Sequence, residues 1–317
     1  MRRKYLMSQF RVKNIQLLHS PIKSDLNWSK SHAQVPRYLI LQDKILVYFA
    51  TRGEPDLNGN YKSYIGGITL DKQNPYKVLS RNNVPVFSPG NNDTFYQHGV
   101  MPGHVEIDGN RVNLYFTGWS RQVEKYPYET WIGKVTSFNL GQTFDDNTVQ
   151  KIISKSDDNK YLSNGPHIYW DDETCSHNIL YASGDDWIYD NGRWESVYSL
   201  KMSPLKNLKC IKKMTAYNLN VCENAPYTFK NNGHTHCMFS VRSSLNFRDG
   251  NGYKLNVGTI LGGKINDVHE LVFDHLAGWC DEMQCYASVL SLASRQYVLF
   301  SGNYFGREGF GIGELYR

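Results

Sequence analysis

Five units spaced about 60 residues apart constrain this chain more than any other feature. Aligned on Pro36, Pro102, Pro166, Pro226 and Tyr286, they are separated by 66, 64, 60 and 60 residues. They open with HAQVPRYLILQDKILVYFATR, HGVMPGHVEIDGNRVNLYFTGW, LSNGPHIYWDDETCSHNILYASGDDW, CENAPYTFKNNGHTHCMFSVR and EMQCYASVLSLASRQYVLFSGN. In each, an apolar run passes through a polar turn such as DGN, KNNG or LASR into a second run. That run ends in Tyr or Phe shortly before Gly, Arg, Asn or Trp. Runs of β-branched and aromatic residues bounded by Gly, Asn and Asp are strands, and helical periodicity is hard to find.

A small antiparallel sheet cannot bury both of its faces alone. Sheets repeated at this period stack radially and close into a ring. The expected fold is all-β: a five-bladed β-propeller formed as one domain over residues 1–317, with blades beginning near residues 32, 98, 162, 222 and 282. The fifth unit stops after its third run, at Arg317. The segment FRVKNIQLL near the N-terminus is therefore expected to add the missing outer strand and close the ring.

Composition narrows the partners. Hydrophobic residues make up 40% of the 317 and charged residues 21%, a globular balance. Aromatics reach 14%, which suits strands and also stacking on sugars. The net charge of +5 is scattered, so no nucleic-acid partner is expected. No apolar run approaches the ~20 residues of a membrane span, and the basic N-terminus lacks the apolar core of a signal peptide. The six cysteines (Cys175, Cys210, Cys222, Cys237, Cys280, Cys285) form neither a CxxC pair nor a dense framework. They read as reduced thiols in a cytoplasmic protein, with Cys222 and Cys280 as small buried hydrophobes. No cofactor is called for, and the oligomeric state is open.

In a propeller, residues just before each first strand gather at one mouth of the central channel. Counting back four from each anchor gives His32, His98, Leu162, Cys222 and Glu282, with Glu223 one step nearer its anchor. Asn164 and His167 join from the third unit and Asp281 from the fifth. The ends of second strands add Arg52, Trp119, Arg242 and Asn303, and nearby loops add Trp187 and Trp279. The expectation is a polar, aromatic-walled small-molecule pocket on a rigid scaffold.

These residues resemble the five-bladed propeller glycosidases, the group of arabinofuranosidases, xylosidases and fructosidases. The chain looks closest to related proteins associated with bacterial surface-polysaccharide gene clusters. The resemblance runs from about Ser31 to Gly313, carried by GVMP...LYFTGW, ENAP and WCDEMQCY...LFSGNYFGREGFGIGEL. It implies a carbohydrate-active enzyme acting at a glycosidic bond, with Glu223 in Glu223-Asn224-Ala225-Pro226 matching the general acid. A carboxylic acid with a raised pKa in a partly dry pocket can protonate a leaving glycosidic oxygen. The first-unit Asp base of those hydrolases has no counterpart in Ser31-His32-Ala33-Gln34-Val35-Pro36. The third-unit Asp is missing from Ser163-Asn164-Gly165-Pro166.

Several replacements stay open at this level. Glu282 or Asp281 would partner Glu223 as base or nucleophile, with a separation of about 5–5.5 Å for retention and about 6.5–9.5 Å for inversion. His32 or His98 would serve as acid or base. His32, His98 and Glu282 would alternatively hold a divalent metal. Arg52 and Arg242 point either to an anionic saccharide or sugar nucleotide, or to salt bridges with Glu223 or Glu282. Hydrolysis, glycosyl transfer in glycan assembly and non-catalytic glycan binding are all compatible with these residues.

Overall fold

The computed structural model describes residues 9–21, 24–121, 125–217, 221–248 and 252–317. It is almost wholly β-structure. After β1 (Arg11–His19), the chain forms β2 (Ser31–Ile40), β3 (Lys44–Arg52), β4 (Ser63–Asp71) and the short β5 (Val78–Arg81). A second antiparallel group is β6 (Gly99–Asp108), β7 (Arg111–Ser120), β8 (Glu129–Ser137) and β9 (Asp145–Ile153). A third is β10 (Leu162–Asp171), β11 (Ser176–Asp190), β12 (Arg193–Pro204) and β13 (Lys212–Lys213). The fourth is β14 (Val221–Asn231), β15 (His234–Ser243), β16 (Lys254–Leu261) and β17 (Lys264–Glu270).

The short β18 (Val272–Phe273) precedes β19 (Cys285–Leu292), β20 (Arg295–Ser301), a single turn α1 (Asn303–Gly306) and β21 (Phe310–Tyr316). Their sheet runs β18-β1-β21-β20-β19. The N-terminal strand therefore pairs antiparallel with the C-terminal one, Val12 opposite Leu315. The first and second groups are joined into one sheet by a single parallel bridge, Ser63 opposite Gly99.

Both faces of most strands are apolar because each group is covered on both sides. In β3, Ile45, Val47 and Phe49 pack with Leu290, Leu299 and Ile312, while Tyr48 packs with Val112, Leu114 and Phe116. Tyr115 and Ile132 meet Ile168 and Ile179, and Leu180 and Leu200 meet Cys237 and Phe239. Met238 and Val257 meet Val289 and Val298. Burying each such side chain is worth roughly 1.5–3 kcal/mol, so the layers between groups carry the stability. The first strands also touch in succession: β2 with β6, β6 with β10, β10 with β14, β14 with β19, and β19 with β2.

Tight hairpins set the register. The Asn191-Gly192 and Asn232-Gly233 loops have positive φ at both residues, 47° and 79°, then 48° and 78°. That is the type I′ geometry that matches strand twist, and Asn and Gly adopt it at least cost. All six cysteines are free thiols, with Cys222 and Cys280 fully buried. Among the described residues, no helix is long and apolar enough to cross a membrane.

Candidate functional site

A repeated backbone irregularity builds the site. The pairing of each first strand with the next slips at the unit's anchor: Gln34/Arg37, Pro102/His104, Asn164/His167, Asn224/Tyr227 and Cys285/Ser288. A β-bulge inserts an unpaired residue and re-aims its neighbours. In four of the five, the bulge holds a residue in the left-handed region: Val35 at 55°, Gly165 at 57°, Ala225 at 48° and Tyr286 at 58°. For Val35 this is a costly conformation, and strain of this kind clusters at binding sites.

All four bulge residues line one cavity of about 790 Å³. Its inner surface carries three amides from three first strands: Gln34, Asn164 and Asn224. The Asn164 Oδ1 is buried and accepts no hydrogen bond among the described residues. Asn224 turns its Oδ1 back to the Ala225 N–H at 2.7 Å. Aromatic rings from Tyr61, Trp119, Tyr128, Tyr198, Tyr253 and Tyr286 complete much of the wall.

Charge in this wall is lopsided. Among the described residues of the wall, Arg52, Arg242, Arg248 and Arg307 stand with a single carboxylate, Glu195. Arg248 grips that carboxylate through two bonds, Nε to Oε1 at 2.8 Å and Nη2 to Oε2 at 3.1 Å. Both oxygens of Glu195 are thus acceptors in a fork-to-fork pair that ties the third group to the loop after β15. Arg242 is buried and donates to the Ser196, Ser243 and Ser244 carbonyls and to the Tyr253 hydroxyl. Its guanidinium lies 3.7 Å from the Phe247 ring centre. Arg52 stacks 4.3 Å from the Tyr61 ring centre. Neither arginine pairs with Glu223 or Glu282 among the described ion pairs, so the salt-bridge option is replaced by carbonyl and aromatic support.

Of the residues expected from the sequence, His32, Arg52, Trp119, Asn164 and Arg242 line the cavity together. His32 is pushed down to about 3, first by burial and then by Arg52 and Arg307. It faces the cavity as a neutral imidazole. Trp119 is fixed by its Nε1–H donating to Ser63 Oγ at 2.7 Å.

Glu223 is not in the wall. It is fully buried on the other side of β14, where its Oε1 accepts from the backbone N–H groups of Ala216 (2.8 Å) and Tyr217 (3.2 Å). Burial raises its pKa, opposed by these hydrogen bonds. Asn224 takes the cavity-facing place instead, because strand neighbours point to opposite faces.

The fifth-unit carboxylates are also elsewhere. Asp281 and Glu282 are exposed, and Asp281 accepts from Asn303 Nδ2 at 2.8 Å. That bond holds Asp281 below the usual carboxylate range. Asn303 is itself buried, its Oδ1 taking the N–H groups of Glu282 and Met283. It shapes the loop and does not face the cavity.

His98 lies outside the wall, accepting from the Arg121 N–H through Nδ1 at 3.2 Å. His167 is buried deeper along the first strands, 2.9 Å from Thr228 Oγ1. Trp187 stacks on Tyr126, and Trp279 on Phe300. Among the described residues no three of His, Cys, Asp or Glu gather as metal ligands, so His32, His98 and Glu282 are not brought together.

Sequence reasoning missed Glu195, Arg248, Arg307, Gln34 and Asn224. Two of them had a signal. Gln34, Asn164 and Asn224 all stand two residues before their anchor proline, an amide each time. The bulge makes that offset cavity-facing in three units, whereas of the residues four before an anchor only His32 lines the cavity.

Comparison with known proteins agrees with this architecture. No family model matches the chain. Uncharacterised proteins from two strains of Mycobacterium tuberculosis are 24% and 23% identical over 301 residues, covering 92% of this chain and 95% of each relative. Among solved structures, a glycosyl hydrolase from Bacteroides ovatus superposes with a TM-score of 0.66 at 13% identity, covering 97% of this chain and 93% of that one. A thermostable family-43 glycoside hydrolase gives 0.60 at 11%, covering 90% and 89%. A β-xylosidase gives 0.58 at 13%, covering 95% and 94%. The structural neighbours are glycoside hydrolases of the family-43 type, and this chain shares the fold of that glycosidase-like propeller group.

Proposed function

We propose that the chain is a five-bladed, ring-closed propeller whose mouth cavity binds a saccharide bearing an anionic group, a sugar acid or a phosphorylated sugar. The five antiparallel groups, the cycle of touching first strands and the pairing of β1 with β21 support the ring. The observation that carries the ligand class is the cavity wall: four guanidiniums against one carboxylate, and that carboxylate already held by Arg248. Guanidinium forks suit carboxylate and phosphate oxygens, tyrosine and tryptophan rings suit sugar faces, and the three amides suit hydroxyls.

Two-carboxylate hydrolysis needs a pair of acids flanking the scissile bond. The described wall supplies one, so this reading moves the chemistry away from Glu223. Glycosyl transfer in glycan assembly is favoured as a second reading by the same excess of arginine. A phosphate leaving group departs without a proton from a carboxylic acid, and arginines stabilise its developing charge. Glu195 would then be the wall carboxylate that accepts a proton from an acceptor hydroxyl.

A melting-temperature screen of purified protein tests the ligand class. Neutral hexoses, uronic acids, sugar phosphates and nucleotide sugars are compared, since a bound ligand stabilises by RT ln(1 + [L]/Kd). The acidic members should raise Tm and the neutral ones should not, with the response weakened in Arg52→Gln and Arg307→Gln. Equal responses to neutral and acidic sugars would refute the anionic assignment. For transfer, nucleotide release from a responding nucleotide sugar should be lost in Glu195→Gln while its Tm response persists.

A further inference from the structure

Below the cavity, the interior of the first strands holds a charge that nothing in the cavity chemistry uses. Arg37 on β2 is 1% exposed. Its Nη1 donates to the carbonyls of Pro36, Tyr286 and Ala287, at 3.0, 3.2 and 3.0 Å. Among the described residues, its Nε and Nη2 find no acceptor. Those two nitrogens form the side-on fork of the guanidinium, so their free N–H bonds point side by side in the same direction. An empty fork this deeply buried is unusual, because buried donors are almost always satisfied.

The surroundings do not neutralise it. The groups coupled to Arg37 are the phenols of Tyr38 and Tyr227 and the imidazoles of His104 and His167. The Tyr227 ring centre lies 5.5 Å from the guanidinium carbon, and Tyr227 Oη donates to Tyr38 Oη at 2.9 Å. His104 and His167 meet through their Nδ1 atoms at 3.4 Å, and His104 is driven down to about 3 by burial and then by Arg37 and His177. Both rings are neutral and offer no negative charge. Glu106 reaches His104, with 4.0 Å between Oε2 and Nε2, and accepts from Tyr115 Oη; it is not among the groups that act on Arg37. Burial lowers Arg37 to about 10, which leaves it charged at neutral pH.

We propose that the Nε/Nη2 fork of Arg37 holds a halide-sized monovalent anion, chloride in ordinary buffers, at the centre of the ring of first strands. A water molecule would occupy one or both donors but leave the buried charge uncompensated, and an unpaired buried charge is costly. A cation is repelled by the guanidinium. The anion would bind Arg37 of β2 between strands of the other groups and so contribute to holding them together.

The test uses the wild-type protein first. Crystals grown in bromide should show an anomalous peak about 3.0–3.4 Å from Arg37 Nε and Nη2, the fork position of a charge-assisted bond to a large anion. In solution, Tm should rise by several degrees and saturate with chloride or bromide, but not with gluconate at equal ionic strength. Arg37→Met should abolish the halide response and Arg37→Lys should keep part of it. If Arg37→Met does not fold, the wild-type bromide map decides alone. A water in the fork with no anomalous signal overturns the proposal. So does a halide-dependent Tm whose bromide sites lie only at Arg52, Arg242, Arg248 or Arg307.

Discussion

Replacing Glu223 by Gln distinguishes a carboxyl that holds a loop from one that protonates a substrate. Glu223 Oε1 accepts two backbone N–H groups, from Ala216 and Tyr217. A Gln keeps the accepting oxygen in place and removes the charge. An Ala leaves two part-buried N–H groups without their acceptor, at up to about 1–3 kcal/mol each, so Glu223→Ala should cost up to roughly 6 kcal/mol before any cavity cost. The pH dependence has a defined sign. Burial lifts the folded-state pKa of Glu223 above its ordinary value of 4.5. The unfolded chain therefore releases this proton first, and folding stability falls as pH rises from that value through the lifted one. Glu223→Gln removes that loss, so its stability relative to wild type should increase across the same window and then level off. Urea denaturation at about pH 5 and about pH 8 measures this directly. Ligand-induced Tm shifts should match wild type. The reasoning is refuted if Glu223→Gln is as unstable as Glu223→Ala, or if a fully folded Glu223→Gln loses ligand response or turnover.

Other outcomes follow from the bulges and the wall. Gly165→Ala forces a side chain at φ 57°, with its Cβ 3.1 Å from Ala225 Cα, and should cost about 1–2 kcal/mol while weakening ligand binding through the adjacent Asn164. Thermal melts with and without ligand read both effects. Ser63→Ala leaves the Trp119 Nε1–H unpaired and should cost about 1–3 kcal/mol, with a shift in tryptophan emission as the ring loses its partner. His32, depressed from 6.5 to about 3, makes the unfolded chain bind its proton first on acidification, so stability falls as pH drops through that interval. His32→Gln should flatten this part of the acid limb in a pH series of urea midpoints.

The sequence by itself determined the strand pattern, the period of the units and the association of its first strand with its last, because these depend on local alternation and repeated anchors. It also brought forward His32, Arg52, Trp119, Asn164 and Arg242, whose places at strand ends carry over from unit to unit. What only the tertiary structure decided is which side of each first strand meets the cavity. A bulge shifts alternation by one residue, and a one-residue shift exchanges the two faces of a strand. That shift turns Glu223 toward Ala216 and Tyr217 and presents Asn224 to the cavity. Glu195 and Arg248 stand 53 residues apart, outside the repeated positions, and become partners only when β12 and the loop after β15 pack side by side. Arg37 reads as one more charge beside a proline until five strands enclose it and leave its fork unfilled.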